Sequence, residues 1–150
     1  MNHTLSSTIS PPRAIKHVLI VDEQDMIRNI LAAMLQSWGF TTRIARNLTG
    51  ACRMVVSDGP FDAIICNYDL PDGNAFDLVD WMHEQQLEVP TVVPCGALPP
   101  MREPGDSVKM LAKPFDPLEL REAIEHAARD GASRGGRTMR RKSMAGGRRL

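Results

Sequence analysis

No stretch of this 150-residue chain approaches the roughly 20 consecutive apolar residues of a membrane span. The Ser- and Pro-rich start, Thr4 to Pro12, likewise lacks the apolar centre of a secretory signal. The expectation is therefore a soluble, cytoplasmic protein without membrane insertion. Cysteine is also scarce. Cys52, Cys66 and Cys95 have neither metal-ligand spacing nor an even count, which argues against a zinc module or a disulfide framework and agrees with a reducing compartment. The third lack is local: Gly131 to Leu150 holds no acid, yet it carries Arg134, Arg137, Arg140, Arg141, Lys142, Arg148 and Arg149. Bases and acids balance at 18 each over the chain, so the tail is +7 and the remainder, with 11 bases against 18 acids, is −7. An acidic body with a basic tail implies that the tail meets an anionic partner or folds back on its own domain.

What is present has the rhythm of alternating strands and helices. His17 to Val21 is a short β-branched run ending in Asp22-Glu23, expected as a buried strand. Met26, Ile27, Ile30, Leu31, Met34 and Leu35 then recur at three- and four-residue spacing, the apolar face of a helix closed by Gly39. Thr41 to Ala45 is a second strand, and Asn47 an N-cap for a helix with Met54 and Val55 on its apolar face. Phe61 to Cys66 is a third strand, Ala75 to Leu87 a helix with Phe76, Leu78, Val79 and Met82 inward, and Val89 to Val93 a fourth strand. Ala97 to Asp106 holds three prolines and a glycine, so a fourth helix here is expected to be short or absent. Ser107 to Ala112 is the fifth strand. Asp116-Pro117-Leu118-Glu119 then sets an N-cap, an N1 proline and a capping-box acid before a last helix running to about Ala128.

This alternation predicts a doubly wound α/β domain, a five-stranded parallel sheet with helices on both faces. Ligands in such domains sit at the carboxyl ends of the strands. The residues there are Asp22, Glu23, Asn67, Cys95 and Lys113: two acids from one loop, a lysine from a distant strand end, and an amide in the centre. Acids with a lysine suit a divalent cation and a phosphoryl group. Cys66 and Cys95 lie on adjacent strand ends, but strand alternation turns Cys66 away from the side that Asn67 faces.

In this order and spacing the residues resemble the CheY-like receiver domain of two-component response regulators. The segments that carry the resemblance are "VLIVDEQDMIR" (18 to 28), "FDAIICNYDLPDGNAFDLV" (61 to 79), "VPTVV" (89 to 93) and "LAKPF" (111 to 115). It implies a receiver over residues 16 to 130 between a flexible tail, 1 to 15, and a disordered tail, 131 to 150, with a flavodoxin-like strand order of 2-1-3-4-5. In the family the first-loop acids help to bind Mg²⁺, an aspartate ending the third strand accepts a phosphoryl group from a histidine kinase, and the lysine contacts it. Asp22 and Glu23 match the acids and Lys113 matches the lysine. Asn67 stands at the acceptor, Cys95 at a hydroxyl position and Met110 where an aromatic often lies.

An amide is not a carboxylate nucleophile, so the resemblance implies a pocket unable to form an aspartyl phosphate. It implies at most a weak Mg²⁺ site at Glu23, Asp22 and the Asp69 carbonyl, with no cofactor required and no enzyme activity. Asn67 is then free to lock one conformation by hydrogen bonding to Lys113. The arginine-rich tail is similar to the C-terminal extensions of CheY-like proteins that bind cyclic di-GMP and act on the flagellar motor. On that likeness Arg134, Arg137, Arg140, Arg141, Arg148 and Arg149 are ligand-binding candidates. The function expected is a phosphorylation-independent adaptor engaging a histidine kinase, the flagellar motor or another signalling protein. The alternatives are a phosphorelay receiver using Asp69 as surrogate acceptor, or a nucleic-acid-binding protein acting through the basic tail.

Overall fold

The computed structural model describes residues 15–96, 104–105 and 107–129. The N-terminal tail, nearly all of the proline-rich segment between the fourth and fifth long strands, and the arginine-rich tail lie outside the described residues, and with them the expectations for those segments. In chain order the elements are β1 (His17–Val21), α1 (Asp25–Ser37), β2 (Thr41–Ala45), α2 (Leu48–Ser57), β3 (Ala63–Cys66), a hairpin of β4 (Asp69–Leu70) and β5 (Gly73–Asn74), α3 (Ala75–Glu84), β6 (Thr91–Cys95) and β7 (Val108–Ala112). Residues 117–129 form the last helix, α4.

The five long strands make one parallel sheet in the order β2-β1-β3-β6-β7. This is the 2-1-3-4-5 order expected once the small antiparallel hairpin is set aside. Strand alternation divides the central residues between two cores. Val18 and Ile20 of β1 and Ile65 of β3 face Leu31 and Leu35 of α1 and Leu120 and Ile124 of α4. Leu19, Val21 and Ile64 face Ala51 and Val55 of α2 and Phe76, Leu78 and Met82 of α3. Each fully buried leucine or isoleucine contributes about 1.5–3 kcal/mol of transfer free energy. The start of β1 is pinned by Asp62, whose carboxylate accepts the Lys16 and His17 backbone N–H groups at 2.9 Å each.

The helix ends follow the sequence signals closely. Asn47 accepts the Gly50 N–H at 2.7 Å. Asp116 and Glu119 make a reciprocal capping box, each side chain accepting the other's backbone N–H at 2.8 and 2.9 Å. Gly39, at φ +95, closes α1: its N–H donates to Gln36 and the Phe40 N–H reaches back to Leu35. A second box, Asn74 with Asp77, starts α3.

Several boundaries or faces differ from expectation, the third strand starting at Ala63 rather than Phe61 and the fifth at Val108 rather than Ser107. The fourth long strand runs Thr91–Cys95 rather than from Val89, because the Pro90 carbonyl receives Ile64 N–H just ahead of the ladder and pairing with β7 carries on to Cys95. Helix α3 ends at Glu84 because Gln86 turns left-handed, at φ 61, and Leu87 N–H bonds back to Met82. In α1 the buried positions are Arg28, Leu31 and Leu35, whereas Met26, Ile27 and Ile30 are exposed. Arg28 takes an inward position on the same face as Leu31 and Leu35.

Candidate functional site

The carboxyl edge of the sheet gathers the strand-end residues through the backbone ladder before any side chain is considered. Asp22 N–H donates to the Ala45 carbonyl at 3.1 Å, Asn67 N–H to Val21 at 2.9 Å, and Lys113 N–H to Cys95 at 2.8 Å. Asp22 is buried, at 5% exposure, and its Oδ1 accepts the Gln24 N–H at 2.9 Å, turning the chain from β1 into α1. Glu23 is exposed.

Two side chains meet in the middle. Lys113 Nζ donates to Asn67 Oδ1 at 2.6 Å, and Asn67 Nδ2 donates to the Asp69 carbonyl at 2.8 Å. An ammonium can only donate, so the amide oxygen must face Lys113 and the NH₂ group must face the carbonyl. The amide thus satisfies a cation on one side and a carbonyl on the other, something a carboxylate, which only accepts, cannot do for Asp69. The Asp69 side chain is exposed at the start of the β4–β5 hairpin. Asp22, Asn67, Asp69, Cys95 and Lys113 therefore share one edge, with Asn67 bonded directly to two of them. Among the described residues no group of three or more His, Cys, Asp and Glu side chains is arranged to hold a metal ion. The six tail arginines singled out in the sequence lie outside the described residues.

Two of the three cysteines are buried at strand ends. Cys66 is buried in the core beneath α2 and α3, and burial, then the nearby Asp22 carboxylate and Cys52, push its thiol far above the ordinary range. Such a thiol is not a ready nucleophile. Cys95 is also buried, at the end of β6.

Two contributors went unread in the sequence. Arg28 is a charged residue only 6% exposed; its Nη1 donates to the Asp22 carbonyl at 2.7 Å and its Nη2 pairs with Asp25. The only local signal was a lone arginine within an apolar helical pattern. Asp72, in the hairpin loop, reaches the start of α2: its carboxylate accepts Leu48 N–H at 2.6 Å and both the N–H and hydroxyl of Thr49 at 2.9 Å. Desolvation is the largest single influence and acts upward, but the Thr49 and Leu48 donors together outweigh it and hold the Asp72 carboxyl below its usual range. Nothing within a few residues of Asp72 announces a partner 24 positions away.

Comparison with known proteins agrees with this fold. Residues 18–125 match the family described as response regulator receiver domain. The chain is 32% identical over 115 residues to the response regulator protein PilR of Pseudomonas aeruginosa, which covers 74% of this chain and 26% of that protein. It is 30% identical over 109 residues to the DNA-binding transcriptional regulator NtrC of a Bradyrhizobium species, covering 69% and 22%. The chain thus spans about a quarter of the length of these curated relatives. Among solved structures, the receiver domain of the Francisella response regulator 1452 superposes with a TM-score of 0.66 at 19% identity, over 76% of this chain and 97% of that one. A CheY-like receiver domain from Methylobacillus flagellatus gives 0.62 at 20% identity, over 76% and 99%.

Proposed function

The chain belongs to the response regulator receiver domain family, and from that premise we propose that it is a phosphorylation-independent signalling adaptor that works by binding rather than by catalysis. It engages a protein partner in the cytoplasm, such as a histidine kinase, the flagellar motor or another signalling protein. Its arginine-rich tail takes the controlling ligand, cyclic di-GMP.

The observation that carries this reading is the pair of hydrogen bonds made by the Asn67 amide, from Lys113 Nζ at 2.6 Å and to the Asp69 carbonyl at 2.8 Å. In the family a carboxylate at this position attacks phosphorus. The amide oxygen has no such nucleophilicity, and here it is held by an ammonium. The same bonds weigh against tight Mg²⁺ binding. The Asp69 carbonyl already accepts an N–H, Asp22 Oδ1 already accepts one, and the central residue contributes no charge. Asp22 and Glu23 with that carbonyl make a weak site at most. The tail's forks, Arg134, Arg137, Arg140, Arg141, Arg148 and Arg149, suit the phosphates and base planes of a cyclic dinucleotide.

The test has two arms. Intact-mass measurement after acetyl phosphate with Mg²⁺ is expected to find no phosphoryl adduct on the wild-type chain. An adduct that Asp69→Ala removes would replace this reading with the surrogate-acceptor one. Titration with cyclic di-GMP is expected to saturate at a fixed stoichiometry. A salt-steep response to any DNA or RNA oligomer, with none to the dinucleotide, would instead make the tail a nucleic-acid arm.

A further inference from the structure

At the β2 edge, apart from the Asn67 hydrogen bonds, α1, β2 and α2 bound an open cleft of about 330 Å³. Arg28, Arg46 and Arg53 line it, beside Ile44, Met54 and Asp58. Its charges do not cancel. Asp25 serves both Arg28, in direct contact, and Arg46, at 3.8 Å. Asp58 is engaged by Arg43 from the rim at 3.1 Å. The guanidinium of Arg53 meets no carboxylate among the described residues. Four guanidiniums against two carboxylates leave a surplus of two positive charges, on a body whose sequence is acidic overall.

We infer that this cleft binds a phosphomonoester carrying a planar ring, a nucleoside monophosphate or a compound of that chemistry. A phosphomonoester carries a charge of about −1.5 to −2 at neutral pH, which matches the surplus. Guanidinium forks take its oxygens in pairs; Arg46 and Arg53 stand exposed at the cleft, while Arg28, whose Nη1 and Nη2 serve the Asp22 carbonyl and Asp25, adds its positive charge to the wall. A bare anion would leave the apolar wall of Ile44 and Met54 without a use. Ile44 is 42% exposed there, and a ring laid against it would cover it. The volume lies at the lower end of the roughly 300–1,000 Å³ typical of small-molecule sites, enough for one phosphate and one ring system rather than two of each. Because Arg28 also holds the first residue of the carboxyl edge, the ligand would meet the signalling pocket through one side chain.

Calorimetric titration of the full chain with AMP tests this, with inorganic phosphate and adenosine as separate titrants. AMP is expected to bind saturably at one per chain, and phosphate and adenosine each at least about tenfold more weakly. Arg46→Ala and Arg53→Ala should each weaken AMP binding by about tenfold or more. Both residues are exposed, so their truncation leaves the core intact. The triple variant Arg137→Ala, Arg140→Ala, Arg141→Ala should bind AMP as the wild type does. The cleft is excluded if AMP fails to bind by about 1 mM, if the two cleft variants bind it unchanged, or if the tail variant loses it. Phosphate binding as tightly as AMP would overturn the role of the ring, and adenosine doing so would overturn the role of the phosphate. Loss of AMP binding in the tail variant would place nucleotide recognition on the tail; the other outcomes leave the phosphorylation and cyclic di-GMP readings untouched.

Discussion

Asn67 differs from an aspartate by one NH₂ group, and both its hydrogen bonds bear on what that group does. Replacing Nδ2 with a carboxylate oxygen would set two acceptors, the side chain and the Asp69 carbonyl, against each other at 2.8 Å. At that distance the arrangement is repulsive unless a cation or proton intervenes. The same change would turn the Lys113 contact from a charge-assisted hydrogen bond into an ion pair. Asn67→Asp is therefore expected to restore the demand for a divalent cation and to supply a nucleophile. After acetyl phosphate with Mg²⁺, its intact mass should gain one phosphoryl group, and the wild-type mass should not. An unmodified variant would mean that the surroundings, and not residue 67 alone, have abandoned the chemistry.

At the scale of elements, what was legible in the sequence is what local interactions decide. Asn47, Gly39 and the Asp116–Glu119 box act within four residues of themselves, so their residue types report their roles directly. The five long strands were legible because β-branched runs alternate with helical patterns and parallel strands need crossovers, whereas their order came from the resemblance to receiver domains. The carboxyl-edge residues were legible because topology alone sends strand ends there. Tertiary ties were not legible. Arg28 occupies an inward position of α1 and bonds the Asp22 carbonyl while Met26, Ile27 and Ile30 are exposed, and hydrophobic periodicity has no term for such a bond. Asp72 fastens the hairpin loop to the start of α2, supplementing the cap that Asn47 provides. Asp72→Ala is expected to cost about 1 kcal/mol at neutral pH, in line with other lost helix caps. The pH dependence has a definite sign. Asp72 is held below its ordinary value in the folded chain, so its contribution is complete above that value and fades as pH falls through the lower, folded-state value. Urea melts of wild type and variant should differ by a constant amount from neutral pH down to mild acid and converge below it. A gap that persisted in strong acid would mean that the lost stability came from something other than the carboxylate.

Across the whole molecule, charge is unevenly distributed along the sequence. Both apolar layers, one beneath α1 and α4 and the other beneath α2 and α3, lie within residues 18–127, and the receiver match ends at 125. The last 20 residues, which carry the surplus bases, lie outside the described residues, and the remaining 130 residues are seven charges to the acidic side. A tail used for ligand binding and one used for stability predict opposite results from the same variant. If the tail neutralised its own domain, removing three of its seven positive charges would lower the melting temperature, and added salt would lessen the difference by screening. If it holds a cyclic dinucleotide, the forks matter only when ligand is present, and each lost charge-assisted contact is worth about 1.5–3 kcal/mol of binding. Arg137→Ala, Arg140→Ala, Arg141→Ala is therefore expected to abolish cyclic di-GMP binding and to leave the ligand-free melting temperature unchanged at low and high salt alike. Truncation after Asp130 should do the same. A truncated chain that still bound the dinucleotide would move the binding function onto the folded body. A variant that melted early at low salt would make the tail part of the domain's own electrostatics.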